Sequence, residues 1–216
     1  MLRVDRRDHC RTDLLHAKYV DTINLAISVR RARPDDAPAL AQLVNRAYEV
    51  EASFVDGNRT SADEITKLLH KGTFLVLEQG PILAAAVYVD TRDVAGVHNP
   101  GTGSGTDDDD TGGYIGMLSV EPSLQGMGLG TRLVRIAEAM CEAMGVSSVR
   151  LRIVNLREEL ARWYRGLGYR EVATFPYERP VKQPCHFIEM HKWLASVDDD
   201  APAHATTSLG AAAAVA

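Results

Sequence analysis

Long apolar runs are missing from this sequence. No stretch approaches the roughly 20 consecutive apolar residues of a membrane-spanning helix, and the N-terminal MLRVDRRDHCRTDLLHAKYV interleaves Arg with Asp where a leader would have an apolar centre. Cysteine is scarce. Cys10, Cys141 and Cys185 are odd in number and widely spaced, with no C-x-x-C pair for a metal or redox centre, so they read as reduced thiols and no metal is expected. Basic charge is not in excess either. Lys and Arg number 24 against 29 Asp and Glu, a formal net charge of −5, which leaves no overall basic footprint for nucleic acid. Together these absences predict a soluble, cytoplasmic protein with neither a membrane nor a nucleic-acid partner.

The 216 residues, 45% hydrophobic and 25% charged, suit one domain with a sizeable core plus tails. Residues 1–22 are densely charged without an apolar period, and residues 195–216 (ASVDDDAPAHATTSLGAAAAVA) offer almost nothing to bury. Both are predicted to be flexible tails around a domain over 23–194. Within it, residues 96–113 (GVHNPGTGSGTDDDDTGG) mix Gly, Pro and Ser with Asp107 to Asp110, and read as a long flexible loop between two strands. No internal repeat is visible.

The remaining segments show clear periods. LAISVRRA (25–32) alternates as a strand, and RPDDAPALAQLVNRAYEV (33–50) puts Leu40, Leu43, Val44 and Ala47 on one helical face behind a Pro and acidic residues. TSADEITKLLHKG (60–72) is a second helix with a Ser or Thr cap and a closing Gly, followed by TFLVLE (73–78) and ILAAAVYVD (82–90) as a hairpin. YIGMLSVEP (114–122) is a strand, GLGTRLVRIAEAMCEAMG (128–145) a long amphipathic helix, and SSVRLRIV (147–154) a strand. A short helix LREELARWYRGLG (156–168) and the strands YREVATF (169–175) and CHFIEMHKWL (185–194) complete the order. The predicted fold is α+β: a mixed sheet flanked by helices in three layers, β-α-α-β-β-β-α-β-α-β-β.

The glycines of SLQGMGLGTRL (123–133) fall at the central strand-to-helix turn. Gly126, Gly128 and Gly130 let backbone N–H groups approach a ligand, and the helix start behind them favours negative charge, so a pyrophosphate is the natural guest; a simple turn is the plainer alternative. Spacing excludes two phosphate motifs. The dinucleotide pattern G-x-G-x-x-G would need Gly at Thr131 or Leu133, and a P-loop needs Lys followed by Ser or Thr where Gly130 is followed by Thr131 and Arg132.

The pattern Gln125-x-x-Gly128-x-Gly130 resembles the Q/R-x-x-G-x-G/A signature of the GNAT acetyltransferase superfamily. A second block supports it. Asn155 and the ending WYRGLGY resemble the second acetyl-CoA region of that family, N…FYxxxGF, and the likeness runs over about residues 27–193. It implies a mostly antiparallel central sheet of about seven strands with acetyl-CoA as co-substrate. It also implies an N-acetyltransferase that moves the acetyl group directly to an amine of a small-molecule, peptide or protein acceptor.

The same resemblance distributes the roles. The backbone around Leu118, Ser119 and Val120 would pair with the pantetheine arm and offer an N–H to the carbonyl oxygen. Gln125, Gly126, Met127, Gly128, Leu129, Gly130 and Thr131 would hold the pyrophosphate, and Asn155 would bond the coenzyme, although a helix cap is its local reading. Tyr164 matches the tyrosine that protonates the leaving thiolate, where packing would otherwise be its reading. Some relatives place a Glu base at the start of the central strand, but Tyr114 stands at that position here. Glu51 is the first candidate base, with Asp56, His186 or a water chain as alternatives. Glu51, Asp56 and the Asp107 to Asp110 run point to a cationic amine as acceptor, with plain solvation the alternative for the run. The last strands of this superfamily commonly take part in dimers, so a homodimer is an expectation. An acyl-CoA-binding module without turnover, and a transferase for longer acyl groups, are the competing readings.

Overall fold

The computed structural model describes residues 27–91 and 112–194. Both expected tails, and the 96–113 loop as far as Thr111 with its Asp107 to Asp110 run, lie outside the described residues. Seven strands form one sheet: β1 (Ile27–Arg31), β2 (Thr73–Gln79), β3 (Ile82–Asp90), β4 (Gly113–Val120), β5 (Ser148–Val154), β6 (Arg170–Pro176) and β7 (His186–Trp193). Their order across the sheet is β1-β2-β3-β4-β5-β7-β6. Every pairing is antiparallel except β4 with β5, which is parallel. The helices are α1 (Ala37–Tyr48), α2 (Ala62–Lys71), α3 (Leu129–Ala143) and α4 (Glu158–Gly166).

The three expected layers follow from which faces are apolar. Leu40 and Leu43 of α1 and Ile65 of α2 pack with Phe74, Val76, Ala86 and Tyr88 on one face of the sheet. On the other, Leu133, Val134, Ala137 and Cys141 of α3 meet Leu75, Leu77, Ala85, Val87 and Ile115, with Ala161 and Tyr164 of α4 beside them. β2 and β3 are covered on both faces and therefore read as nearly continuous apolar runs. Local signals close the elements. Ser61 accepts a hydrogen bond from the Glu64 amide while the Glu64 carboxylate accepts from the Ser61 amide, a reciprocal cap for α2. The predicted first helix is divided: Pro34–Asp36 and Glu49–Glu51 are tighter 3-10 turns at its two ends.

One irregularity organises the centre of the sheet. Ala86 pairs with Ser119 while Tyr88 pairs with Gly116, so Met117 and Leu118 together face the single residue Val87. This is a bulge in β4, and Met117 adopts φ 49° to make it. The Ser119 hydroxyl donates to the Met117 carbonyl at 3.0 Å and staples the extra residue. Beyond Tyr114 the ladder to β5 ends: only Gly113 with Val149 and Tyr114 with Arg150 are paired.

Positive φ at a non-glycine gives a signed test. At an ordinary strand position Ile equals or exceeds Met in strand preference. At Met117 a β-branched side chain meets the left-handed conformation, so Met117→Ile is expected to lower urea stability by about 1–2 kcal/mol. Unchanged or higher stability would show that the bulge is not strained.

Candidate active site

The separation of β4 from β5 opens a cavity of about 470 Å³ in the middle of the sheet. Its walls include Ile115 to Leu118 and Val120 on one side and Leu151 to Val154 on the other. Backbone groups on that edge of β4 lack a ladder partner on β5, and such groups need a donor or acceptor from elsewhere. An extended chain carrying amides can supply them in the manner of an added strand.

At one end of the opening sits the glycine loop. Pro122–Leu124 forms a 3-10 turn, and the Gln125 side-chain amide donates back to the Val120 carbonyl at 3.3 Å, holding the loop to the strand it leaves. Gly126 and Gly128 have φ 78° and 79°, a region that favours glycine, and a Cβ on either would enter open space. The turn requires glycine at both positions, and each faces open space. Gly128 is the N-cap of α3, no side chain caps the helix, and the first internal bond runs from the Arg132 amide to the Gly128 carbonyl at 3.0 Å. The amides of Leu129, Gly130 and Thr131 thus have no intrahelical acceptor. With the dipole of a 15-residue helix behind them, such amides are suited to an anion.

The opposite wall is built by two loops. Residues 49–61, between α1 and α2, are tied to α1 where Asn45 bonds both the amide and the carbonyl of Thr60, each at 3.0 Å. The β6–β7 connection closes on the same segment. Val55 bridges Val181, the Lys182 amide donates to the Phe54 carbonyl at 2.9 Å, and Arg179 donates to the Arg59 carbonyl at 2.6 Å. These ties turn Glu51, only 5% exposed, into the cavity. Burial pushes its carboxyl above the ordinary range, opposed by the charges of Arg59 and Arg157 and by a hydrogen bond from Arg157 at 3.3 Å. Tyr164 faces the same space, buried, with ring-centre separations of 4.6 Å to Trp163 and 5.4 Å to Tyr169. Burial, together with neighbouring Tyr48 and Tyr114, drives its hydroxyl well above the usual range, so it stays protonated at neutral pH.

Most of the sequence-predicted site converges here. Leu118, Val120, Gln125, Gly126, Gly128, Leu129, Gly130, Thr131, Glu51 and Tyr164 all line the one cavity. Ser119 faces the other way and is buried, and the Met127 side chain is turned to solvent. Asn155 is not a helix cap, because Arg157 holds the N-cap of α4. Its Oδ1 accepts the His186 amide at 2.8 Å and its own amide donates to the His186 carbonyl at 3.0 Å, which ties it to the start of β7. His186 and Asp56 are exposed and stand outside the cavity wall. Four lining residues have no signal in the sequence: Tyr48, Arg59, Arg152 and Arg157 reach the cavity only through loop docking and the strand separation.

The sheet is thus opened at an internal edge, with uncapped helix amides at one end of the cavity and a buried carboxylate and tyrosine along it. Residues 38–169 match the model of the acetyltransferase (GNAT) family, and the chain belongs to that family. Its members use acetyl-CoA. No curated protein matches the sequence. Among solved structures, yncA, a putative acetyltransferase from Salmonella typhimurium with its cofactor acetyl-CoA, is 18% identical with TM-score 0.59, covering 83% of this chain and 99% of that one. The ribosomal-protein-S18-alanine N-acetyltransferase from Escherichia coli is 17% identical with TM-score 0.58, at 81% and 98% coverage. Ribosomal-protein-alanine N-acetyltransferase from Brucella melitensis is 16% identical with TM-score 0.61, at 77% and 99% coverage. These likenesses establish the shared fold, including the mixed, mostly antiparallel sheet. Among the described residues no helix is long and apolar enough to cross a membrane.

The two functions of the loop glycines separate experimentally. Gly128→Ala is expected to lose about 1–2 kcal/mol of stability from its positive φ and at least about tenfold in acetyl-CoA affinity by calorimetry. Gly145→Ala, at φ 78° and equally uncrowded but outside the cavity, is the control, losing similar stability with no loss of affinity. Equal acetyl-CoA affinities in the two variants would remove the cradle.

Proposed function

We propose that this chain is an N-acetyltransferase that uses acetyl-CoA and passes the acetyl group directly to an amine of a small-molecule, peptide or protein acceptor. The observation that carries this reading is the convergence of the α3 amides, the unpaired β4 edge, Glu51 and Tyr164 on one cavity. When bound, acetyl-CoA supplies an activated thioester. The amides of Leu129, Gly130 and Thr131 would hold the pyrophosphate, and the β4 edge would bond the amides of the pantetheine arm. A backbone N–H near Leu118 would stabilise negative charge developing on the carbonyl oxygen.

Two proton transfers remain for side chains. Glu51 takes the proton that the amine nitrogen loses as its new C–N bond forms; its raised pKa brings it closer to the operating pH, where a base is most effective. Tyr164, protonated throughout the neutral range, gives its proton to the sulfur as the C–S bond breaks and the electron pair leaves with sulfur. The second reading, an acyl-CoA-binding module without turnover, draws on the absence of a carboxylate at Tyr114. Glu51 in the cavity favours turnover. We read the cytoplasm as its compartment and a homodimer through the β6 edge, where Val172 is exposed, as its assembly.

Calorimetric titration with acetyl-CoA, followed by thiol release against a panel of amines, tests the proposal; binding without release from any amine would establish the sensor reading instead. Two variants assign the protons. Tyr164→Phe is expected to lower kcat by about 10²-fold or more while the acetyl-CoA KM moves less than about threefold. Glu51→Gln is expected to lower kcat/KM by a similar factor and to abolish one acid limb of its pH profile. That limb lies above the ordinary carboxylate range because activity requires the deprotonated form of a group whose pKa is raised. A Glu51→Gln profile identical to wild type would exclude Glu51 as the base.

A further inference from the structure

Among the described residues two buried side-chain polar atoms have no hydrogen-bond partner, Arg59 Nε and Tyr177 Oη. Both can donate a proton, and the two residues are near enough to couple electrostatically. Native proteins rarely leave such groups unmatched. The Arg59 side chain is half-buried with its Nε fully covered, and it makes no hydrogen bond or ion pair to the described residues. It lines the cavity, packed 5.1 Å from the ring centre of Tyr48, while Arg179 grips its backbone carbonyl. The group is therefore held firmly in place, in front of an open space.

Its charged neighbours decide what belongs there. Of the described residues lining the cavity, three are arginines and one is a carboxylate. Arg152 is paired with Glu189 at 2.8 Å, and Arg157 bonds Glu51 at 3.3 Å as well as Glu159. Arg59 alone of these has no ion pair. The electrostatic neighbours of Arg59 are Tyr48, Tyr177, Glu51 and Tyr114. The cation therefore stands beside the candidate base, near enough to couple to Glu51 but with no ion pair of its own.

We propose that Arg59 and Tyr177 form a carboxylate-binding subsite, so that the acceptor is a small amino acid or a close analogue carrying its carboxylate near the reacting amine. This rests on the transferase reading above. Such a molecule presents an amine and a carboxylate a few bonds apart, matching the adjacent Glu51 and Arg59, and the guanidinium fork can take the carboxylate through two parallel hydrogen bonds. The cavity, about 470 Å³, has to admit the thioester as well, which suits a small acceptor better than a folded protein. The cationic acceptor suggested by the acidic residues of the sequence is not what this corner selects.

The test compares acceptors that differ only in the carboxylate. Thiol release from acetyl-CoA is measured for the full chain with the twenty common amino acids, their amides and trialanine. Acids are expected to outperform their amides by about 10- to 100-fold in kcat/KM, although more of the amide is present as the reactive neutral amine. In Arg59→Gln that preference is expected to collapse toward parity through the acceptor KM, with acetyl-CoA affinity unchanged. Tyr177→Phe, which keeps the ring packing, is expected to raise the acceptor KM by about 3- to 10-fold and decides the matter should Arg59→Gln fail to fold. Amides or trialanine equalling the free acids in wild type, or an acid preference that survives both variants, would overturn the subsite. If no amine releases thiol, the thermal shift produced by N-acetyl amino acids is the readout. A shift in wild type that is lost in the variants sustains the subsite while the transferase reading fails, and no shift in wild type overturns the subsite too.

Discussion

Two residue pairs are all that hold β4 to β5, and the rest of the molecule is arranged around the gap that follows. A parallel pair in the middle of an otherwise antiparallel sheet forces a crossover, and α3 provides it. The bulge at Met117 turns β4 away before the pair can continue. Backbone groups that a regular sheet would have satisfied internally are left facing a cavity at the centre of the fold. The helix that makes the crossover begins at the same gap, so its uncapped amides and the open strand edge line one cavity.

Energetically the site works against the core around it. The faces of β2, β3 and α3 are filled with apolar side chains at or near zero exposure, while the cavity keeps a carboxylate, three guanidinium groups and two tyrosines under cover. Burial raises the pKa of Glu51, and the flanking arginines prevent it from rising without limit. The same low-dielectric surroundings keep Tyr164 protonated. Environment thus sets the protonation of both candidate groups. Both depend on the docking of the α1–α2 and β6–β7 loops, which excludes water from one side.

What could be read from the sequence was what local chemistry dictates. The Ser61 and Glu64 cap, the apolar stripe of α3 and the alternation of β5 are short-range patterns, and each element appears within a few residues of its expected position. The glycine turn was legible because positive φ favours glycine at Gly126 and Gly128. Glu51 could be named as a candidate from its segment, but its burial depends on contacts with residues more than a hundred positions away, Arg157 among them. Arg59 gave no signal, since an arginine in a polar loop looks like solvated surface until Arg179 and Tyr48 are seen to hold it. The local reading of Asn155 as a cap fails because Arg157 is the N-cap and His186, thirty-one residues on, takes the Asn155 side chain.

The central claim is that the open β4 edge and the start of α3 form one coenzyme site. Amide hydrogen exchange with and without acetyl-CoA measures it directly. The account predicts new protection at Ile115 to Val120 together with Leu129, Gly130 and Thr131, and little change in β1 and β2. Protection confined to other elements, or none at saturating acetyl-CoA, would contradict it.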